Sequence, residues 1–187
     1  HAFYVLVETL GVNAERDAEQ VLAVLAQAQE QGLVSEAVVA QNARERREMW
    51  GLRDDVEQLD RNGPALHYDV SLSLDAMEAY VAEVQRRLTA RFGAHDCYVF
   101  GHLADGNLHV VVRVDELPDA ADDVHAIVYG CLPARGASVS AEHGIGLLRK
   151  AQLGRSRSAA ELELMRVLKR ALDPRGILNP GKIFDVD

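Results

Sequence analysis

The stretch FGHLADGNLH, residues 100–109, decides the fold. It sets an Asp-Gly pair between apolar residues. That is a strong short-range hairpin signal, because glycine takes the positive φ that a tight turn needs. With Asp105 and Gly106 as a two-residue turn, Ala104 faces Asn107, Leu103 faces Leu108, and His102 faces His109. The two imidazoles become direct cross-strand neighbours on one face, with Cβ atoms roughly 5 Å apart. The opposite face carries Val99, Leu103, Leu108, Val110, Val112 and Val114, a core face at the period of two that a strand requires. That apolar side is complete without the histidines, which therefore answer to something else.

Outward from the hairpin, helices alternate with strands. Residues 2–9 read as a strand, and a helix follows from Ala14 to Gln31 with Gly32 able to end it. LVSEAVVAQ (33–41) reads as a second strand. Asn42 with Glu45 makes a cap-like start for a helix whose apolar stripe is Met49, Leu52, Val56 and Leu59. LHYDVSLSL (66–74) is a third strand. Asp75 and Glu78 open a helix with Met77, Tyr80, Val81, Val84 and Leu88 on one face. After the hairpin, a helix over 118–132 buries Val124, Ile127, Val128, Cys131 and Leu132. RGASVSAEHGIG (135–146) reads as a short strand and a loop. Ser158 and Glu161 form a capping box for a last helix carrying Leu164, Val167, Leu168 and Leu172, which Asp173-Pro174 ends. The pattern predicts an α+β fold, a mostly antiparallel sheet covered by helices. The β-α-β rhythm on both sides of the third strand suggests a ferredoxin-like duplication, although no sequence repeat is visible.

The totals narrow the function. The 187 residues suffice for one domain with a real core or for two small subdomains. A net charge of −9 and a pI near 5.2 argue against a nucleic-acid partner, which would need a basic surface to replace phosphate counterions. No apolar run reaches the length of a membrane span, and no signal peptide is visible. Cys97 and Cys131 sit in apolar stretches outside any CxxC pattern, so reduced thiols in a cytoplasmic protein are expected. The opening HAFYVLVETL lacks an initiator Met and reads as a piece of a longer chain.

Glu142 and His143 adjoin two glycines in SAEHGIG (140–146), where the backbone can approach a ligand closely. With the hairpin, the chain offers His102, His109 and Glu142 as donors. Two histidines and one carboxylate are a common first shell for zinc, iron or manganese with one position open. The alternative is a hairpin with two surface histidines and an exposed Glu-His loop. Arg53 lies at the edge of its helix's apolar stripe. It reads either as a snorkelling side chain or as a planar clamp for a carboxylate, with Trp50 able to pack beside it. Asn179, in LNPGK, reads as a turn residue.

These residues resemble a known family. GHLADGNLHV is similar to the GHxGDGNLH signature of FAD-linked oxidases and dehydrogenases of the vanillyl-alcohol-oxidase type. SAEHGIGLLRK resembles that family's GEHGIGxxK segment, and LDPRGILNPGKIF its C-terminal ending. FYVLVETLG and MWGLRDD fall in the expected order. The resemblance points to the branch of D-2-hydroxyglutarate and D-lactate dehydrogenases and the glycolate oxidase large subunit. It implies a C-terminal substrate domain over residues 1–187, with an N-terminal FAD-binding domain absent from this chain and therefore no oxidoreductase activity alone.

The resemblance also implies roles. His102, His109 and Glu142 would bind a divalent metal, zinc being the expected ion. His143 would be the general base, Arg53 would contact the substrate carboxylate, and Asn179 would approach FAD. The implied activity is oxidation of a 2-hydroxy acid to a 2-oxo acid, with the N-terminal FAD domain as partner and a homodimer as an allowed assembly. Two positions depart from the hydroxyglutarate pattern: His67 stands where a Lys is common, and Val111 where an Asn is common. Rival readings are a metal-independent FAD oxidase cap domain and a non-catalytic substrate-binding module paired with a separate flavin subunit.

Overall fold

The hairpin forms, but two residues of register away from the expected pairing. In the computed structural model, which describes residues 3–185, β2 (Asp96–His102) and β3 (Asn107–Arg113) are antiparallel, with His102 opposite Asn107 and Phe100 opposite His109. Leu103–Asp105 make a short 3-10 turn and Gly106 sits at φ 65°, so the loop is four residues long rather than two. Side chains alternate with a period of two, so a shift of two leaves every residue on its expected face. His102 and His109 still share a face, as diagonal neighbours with ring centroids 5.5 Å apart. Leu103 is the exception. It is in the turn and 71% exposed, not in the core.

Gly106 is fixed from both sides. Its carbonyl accepts the Leu72 N–H at 3.0 Å, and a Cβ would meet the Leu72 carbonyl oxygen at 2.6 Å. A Cβ on Gly101 would run into the Asn107 carbonyl oxygen. Both glycines let backbone approach backbone where a side chain could not fit.

The chain divides into two units, His1–Gln58 and Leu59–Asp187. The second holds the sheet, in the order β1-β3-β2, with β1 spanning Leu66–Ser71 and pairing antiparallel to β3. Ser138 bridges Ser71 on the far side of β1, at the place of a fourth strand. Helices α3 (Leu74–Phe92) and α4 (Ala121–Gly130) bury Tyr80, Val84, Leu88, Val124 and Val128 against Tyr68, Val70, Val110 and Val112. This β-α-β-β-α order with a residual fourth strand is one ferredoxin-like unit and makes the fold α+β, as the pattern predicts. The other face of the same strands carries His67 and Asp69 from β1, Asn107, His109 and Val111 from β3, and Tyr98, Phe100 and His102 from β2. Core and candidate site are thus the two sides of one sheet.

The first unit contains α1 (Ala14–Glu30) and α2 (Ala43–Asp54), each begun by the side chain of an Asn cap, Asn13 and Asn42. Glu45 returns the cap at Asn42, accepting the Gln41 N–H at 2.7 Å. The strands expected at 2–9 and 33–41 do not form among the described residues; Ala2 lies outside them. Phe3, Tyr4 and Val5 are all exposed, and no strand is formed at residues 3–9 among the described residues. A duplicated sheet is therefore not present among residues 3–58. The helix expected to carry Met49 through Leu59 ends at Asp54, and Val56–Asp60 continue as a 3-10 turn.

A 3-10 segment, Lys150–Arg155, precedes α5 (Ala159–Leu172) in the second unit. The Ser158–Glu161 capping box is formed. The α5 stripe stays at least half exposed or nearly so at Leu164, Val167, Leu168 and Leu172, so that stripe is not core among the described residues. Both cysteines are free and partly buried, and burial pushes the Cys97 thiol up to about 11. No helix among the described residues is long and apolar enough to cross a membrane.

Candidate metal centre

The polar face of the sheet and the loop after Ser138 bring three donors together. One nitrogen of His102, one of His109 and a carboxylate oxygen of Glu142 all lie within 4.8 Å of one another. Glu142 Oε1 is 3.2 Å from His102 Nδ1 and 3.9 Å from His109 Nε2. Donors around a tetrahedral ion with bonds of ~2.0–2.2 Å are separated by roughly 3.4 Å, so these spacings bracket what an ion requires. Burial lowers the His109 pKa below its ordinary value, against the opposing pull of Glu142 and Asp69. A neutral imidazole is the ligating form. His143 lies beside the donors, its ring stacked 5.8 Å from that of His109, and its side chain is 57% exposed.

Two further residues hold this arrangement. Asp69, on β1, is 1% exposed. Its Oδ2 accepts the Glu142 N–H at 3.0 Å, the His143 N–H at 2.9 Å and the Ser140 hydroxyl at 3.0 Å. Burial penalises its charge, but these three bonds and nearby His143 outweigh that and hold its carboxyl below the ordinary Asp value. Asn107, also 1% exposed, donates its amide to Glu142 Oε1. Asp69 Oδ1 and Asn107 Oδ1 are buried without a partner among the described residues. The sequence carried a signal for Asp69: it is an acidic residue inside an apolar strand. Asn107 was hidden by the register, since a two-residue turn pairs it with Ala104 rather than His102.

Arg53 and Asn179 belong to other elements of the chain. Arg53 is at the end of α2 in the first unit, where its guanidinium sits 5.6 Å from the Trp50 ring centroid and pairs with Asp54 at 2.8 Å. Asn179 takes φ 47°, a left-handed conformation that Asn tolerates, in the tail after α5. Asp173 holds that tail by accepting the N–H groups of Ile177 and Leu178, while Lys169 bridges Asp173 and the Leu178 carbonyl.

Residues 1–183 match the family model described as FAD linked oxidases, C-terminal domain. The chain belongs to this family. Curated relatives align with almost all of its length. A D-2-hydroxyglutarate dehydrogenase of Xanthomonas citri pv. viticola is 38% identical over 192 residues, covering 99% of this chain and 40% of the relative. The mitochondrial D-2-hydroxyglutarate dehydrogenase of Rattus norvegicus is 40% identical over 182 residues, covering 96% of this chain and 34% of the relative. A D-2-hydroxyglutarate–pyruvate transhydrogenase of Saccharomyces cerevisiae is 35% identical over 191 residues, covering 97% and 38%. The chain therefore spans about two fifths or less of the length of these relatives. A mitochondrial member stands among them, beside the cytoplasmic setting expected from the cysteines.

Proposed function

We propose that this chain is the substrate- and metal-binding part of an FAD-dependent dehydrogenase that oxidises a 2-hydroxy acid to a 2-oxo acid. The observation that carries the reading is the convergence of His102, His109 and Glu142 within 4.8 Å, with His143 at the rim.

The donor set fits a divalent ion such as zinc: two imidazoles and one carboxylate. When bound, the ion supplies a Lewis acid for the hydroxyl and carboxylate of the acid, and FAD supplies the two-electron acceptor. His102, His109 and Glu142 hold that centre on the polar sheet face. His143 receives the hydroxyl proton. Its Nδ1 is turned toward Asp69 at 3.6 Å, which leaves Nε2 as the accepting nitrogen. Arg53 serves the substrate carboxylate through its planar guanidinium, and Asn179 serves the flavin from the C-terminal tail. His67 is engaged by Asp60 at 2.9 Å and Val111 is buried and apolar. These two positions favour a hydroxy acid whose side chain makes little demand for polar contacts there.

Calorimetric titration of the metal-free chain with zinc tests the reading. One-to-one binding that His109→Ala abolishes is expected. A well-folded chain that takes up no zinc would return the histidines to the wall of a metal-independent pocket.

A further inference from the structure

A buried carboxylate needs a reason. Asp69 lies within the sheet, 1% exposed, where an unpaired charge is expensive to keep. Among the described residues no Lys or Arg side chain forms an ion pair with it. Its partners are instead the consecutive N–H groups of Glu142 and His143 and the hydroxyl of Ser140, all on one oxygen. Its own backbone carbonyl accepts the Ala141 N–H at 3.2 Å, and Ser71 and Ser138 exchange both backbone bonds at 2.8 and 3.1 Å. The loop 138–143 is thus laced to β1 by backbone at one end and by a single side chain at the other. Glu142 and His143 fall at the side-chain end.

The ladder makes this placement consequential. Asp69 pairs with His109 across β1 and β3. The sheet sets His109, and Asp69 ties Glu142 to that same sheet position. The backbone at 142 is held at the N–H next to the Glu142 side chain, and Asn107 meets the carboxylate itself. Removing the Asp69 clamp releases the one donor that does not come from the hairpin.

We propose that Asp69 is a positioning residue whose carboxylate seats Glu142 as the third metal donor and so sets the affinity of the centre. This rests on the metal reading above. Second-layer partners of this kind typically change metal affinity by roughly 10–100-fold when removed.

The test compares the full chain with Asp69→Asn and Glu142→Ala, using zinc calorimetry and the visible spectrum of the cobalt(II)-loaded forms. Asp69→Asn keeps the shape and one acceptor oxygen. It is expected to unfold cooperatively, to bind zinc roughly 10–100-fold more weakly, and to show the cobalt spectrum of Glu142→Ala. Unchanged zinc affinity in Asp69→Asn overturns the proposal. So does weaker binding with the wild-type cobalt spectrum, since the donor set would then be intact. Should Asp69→Asn not fold, Ser140→Ala removes one of the three bonds to Oδ2 and is read the same way, with a smaller loss expected. Failure of the wild-type chain to bind zinc would instead defeat the metal reading itself, before any variant is compared.

Discussion

Asp69 stands directly across the β1–β3 ladder from His109. One residue carries an imidazole that reaches a shared point with His102 and Glu142; the other grips the loop that delivers Glu142. The two parts of the candidate centre are therefore in one register, set by backbone hydrogen bonds rather than by the donors.

Asn107→Ala removes the side-chain amide that donates to the Glu142 carboxylate. Zinc affinity is expected to fall by roughly 10–100-fold. Stability should drop by about 1–3 kcal/mol, since a buried polar contact is lost. Calorimetry and urea unfolding of the same preparation read both.

Gly101→Ala drives a methyl group into the Asn107 carbonyl oxygen, a backbone atom that cannot swing aside. Overpacking of this kind is expected to lower stability by about 1–3 kcal/mol. It should also disturb the cobalt spectrum, because Gly101 precedes His102. A variant as stable as wild type would show that the β2–β3 pairing at this point is looser than described.

Leu88→Ala and Leu103→Ala separate core from turn. Leu88 is fully buried under the sheet, and its truncation is expected to lower stability by about 2–5 kcal/mol. Leu103 stands in the open turn, and its truncation should change stability by no more than about 0.5 kcal/mol. Paired urea curves decide. Equal losses would place Leu103 in the core, as a two-residue turn would require.

The tail that carries Asn179 should loosen in acid. The Lys169 ammonium first, then the Ile177 and Leu178 N–H groups, hold the Asp173 carboxyl below its ordinary value. A lowered folded pKa means that the tail is held fully above the unfolded Asp value of ~3.9. The hold is lost as pH falls through the lower folded value. The amide resonances of Ile177 and Leu178 should therefore move with a midpoint below ~3.9 on acid titration, and Asp173→Asn should remove that transition. A midpoint at or above the ordinary value would contradict the clamp.

How much of this was legible in the sequence depends on whether a residue's role is local. The caps at Asn42 and Ser158 are local chemistry, and they formed as read; Asp105 and Gly106 do lie in the turn, but in a loop of four residues rather than two. The donors His102 and His109 kept their face because strand alternation survives a shift of two. The exact pairing did not survive, since the 3-10 turn at Leu103 adds two residues that no dipeptide signal announces. Residues 3–9 and 33–41 have strand-like composition, but a strand exists only where another takes up its backbone groups. Composition does not say whether a partner is at hand. Asp69 and Asn107 work through residues 35 or more positions away, which makes them visible only once the chain is folded.

The alternation in this sheet gives the two faces separate histories. Along β1 and β3 the odd-numbered residues answer to chemistry and the even-numbered ones to folding; along β2 the parity is reversed. Exchanging His67, Val111, Tyr98 or Phe100 need not disturb the packing of Val70, Val110 or Val112 beneath α3 and α4. The candidate-site face can therefore be recoded, by drift or by a protein engineer, one parity at a time, while the scaffold is inherited unchanged.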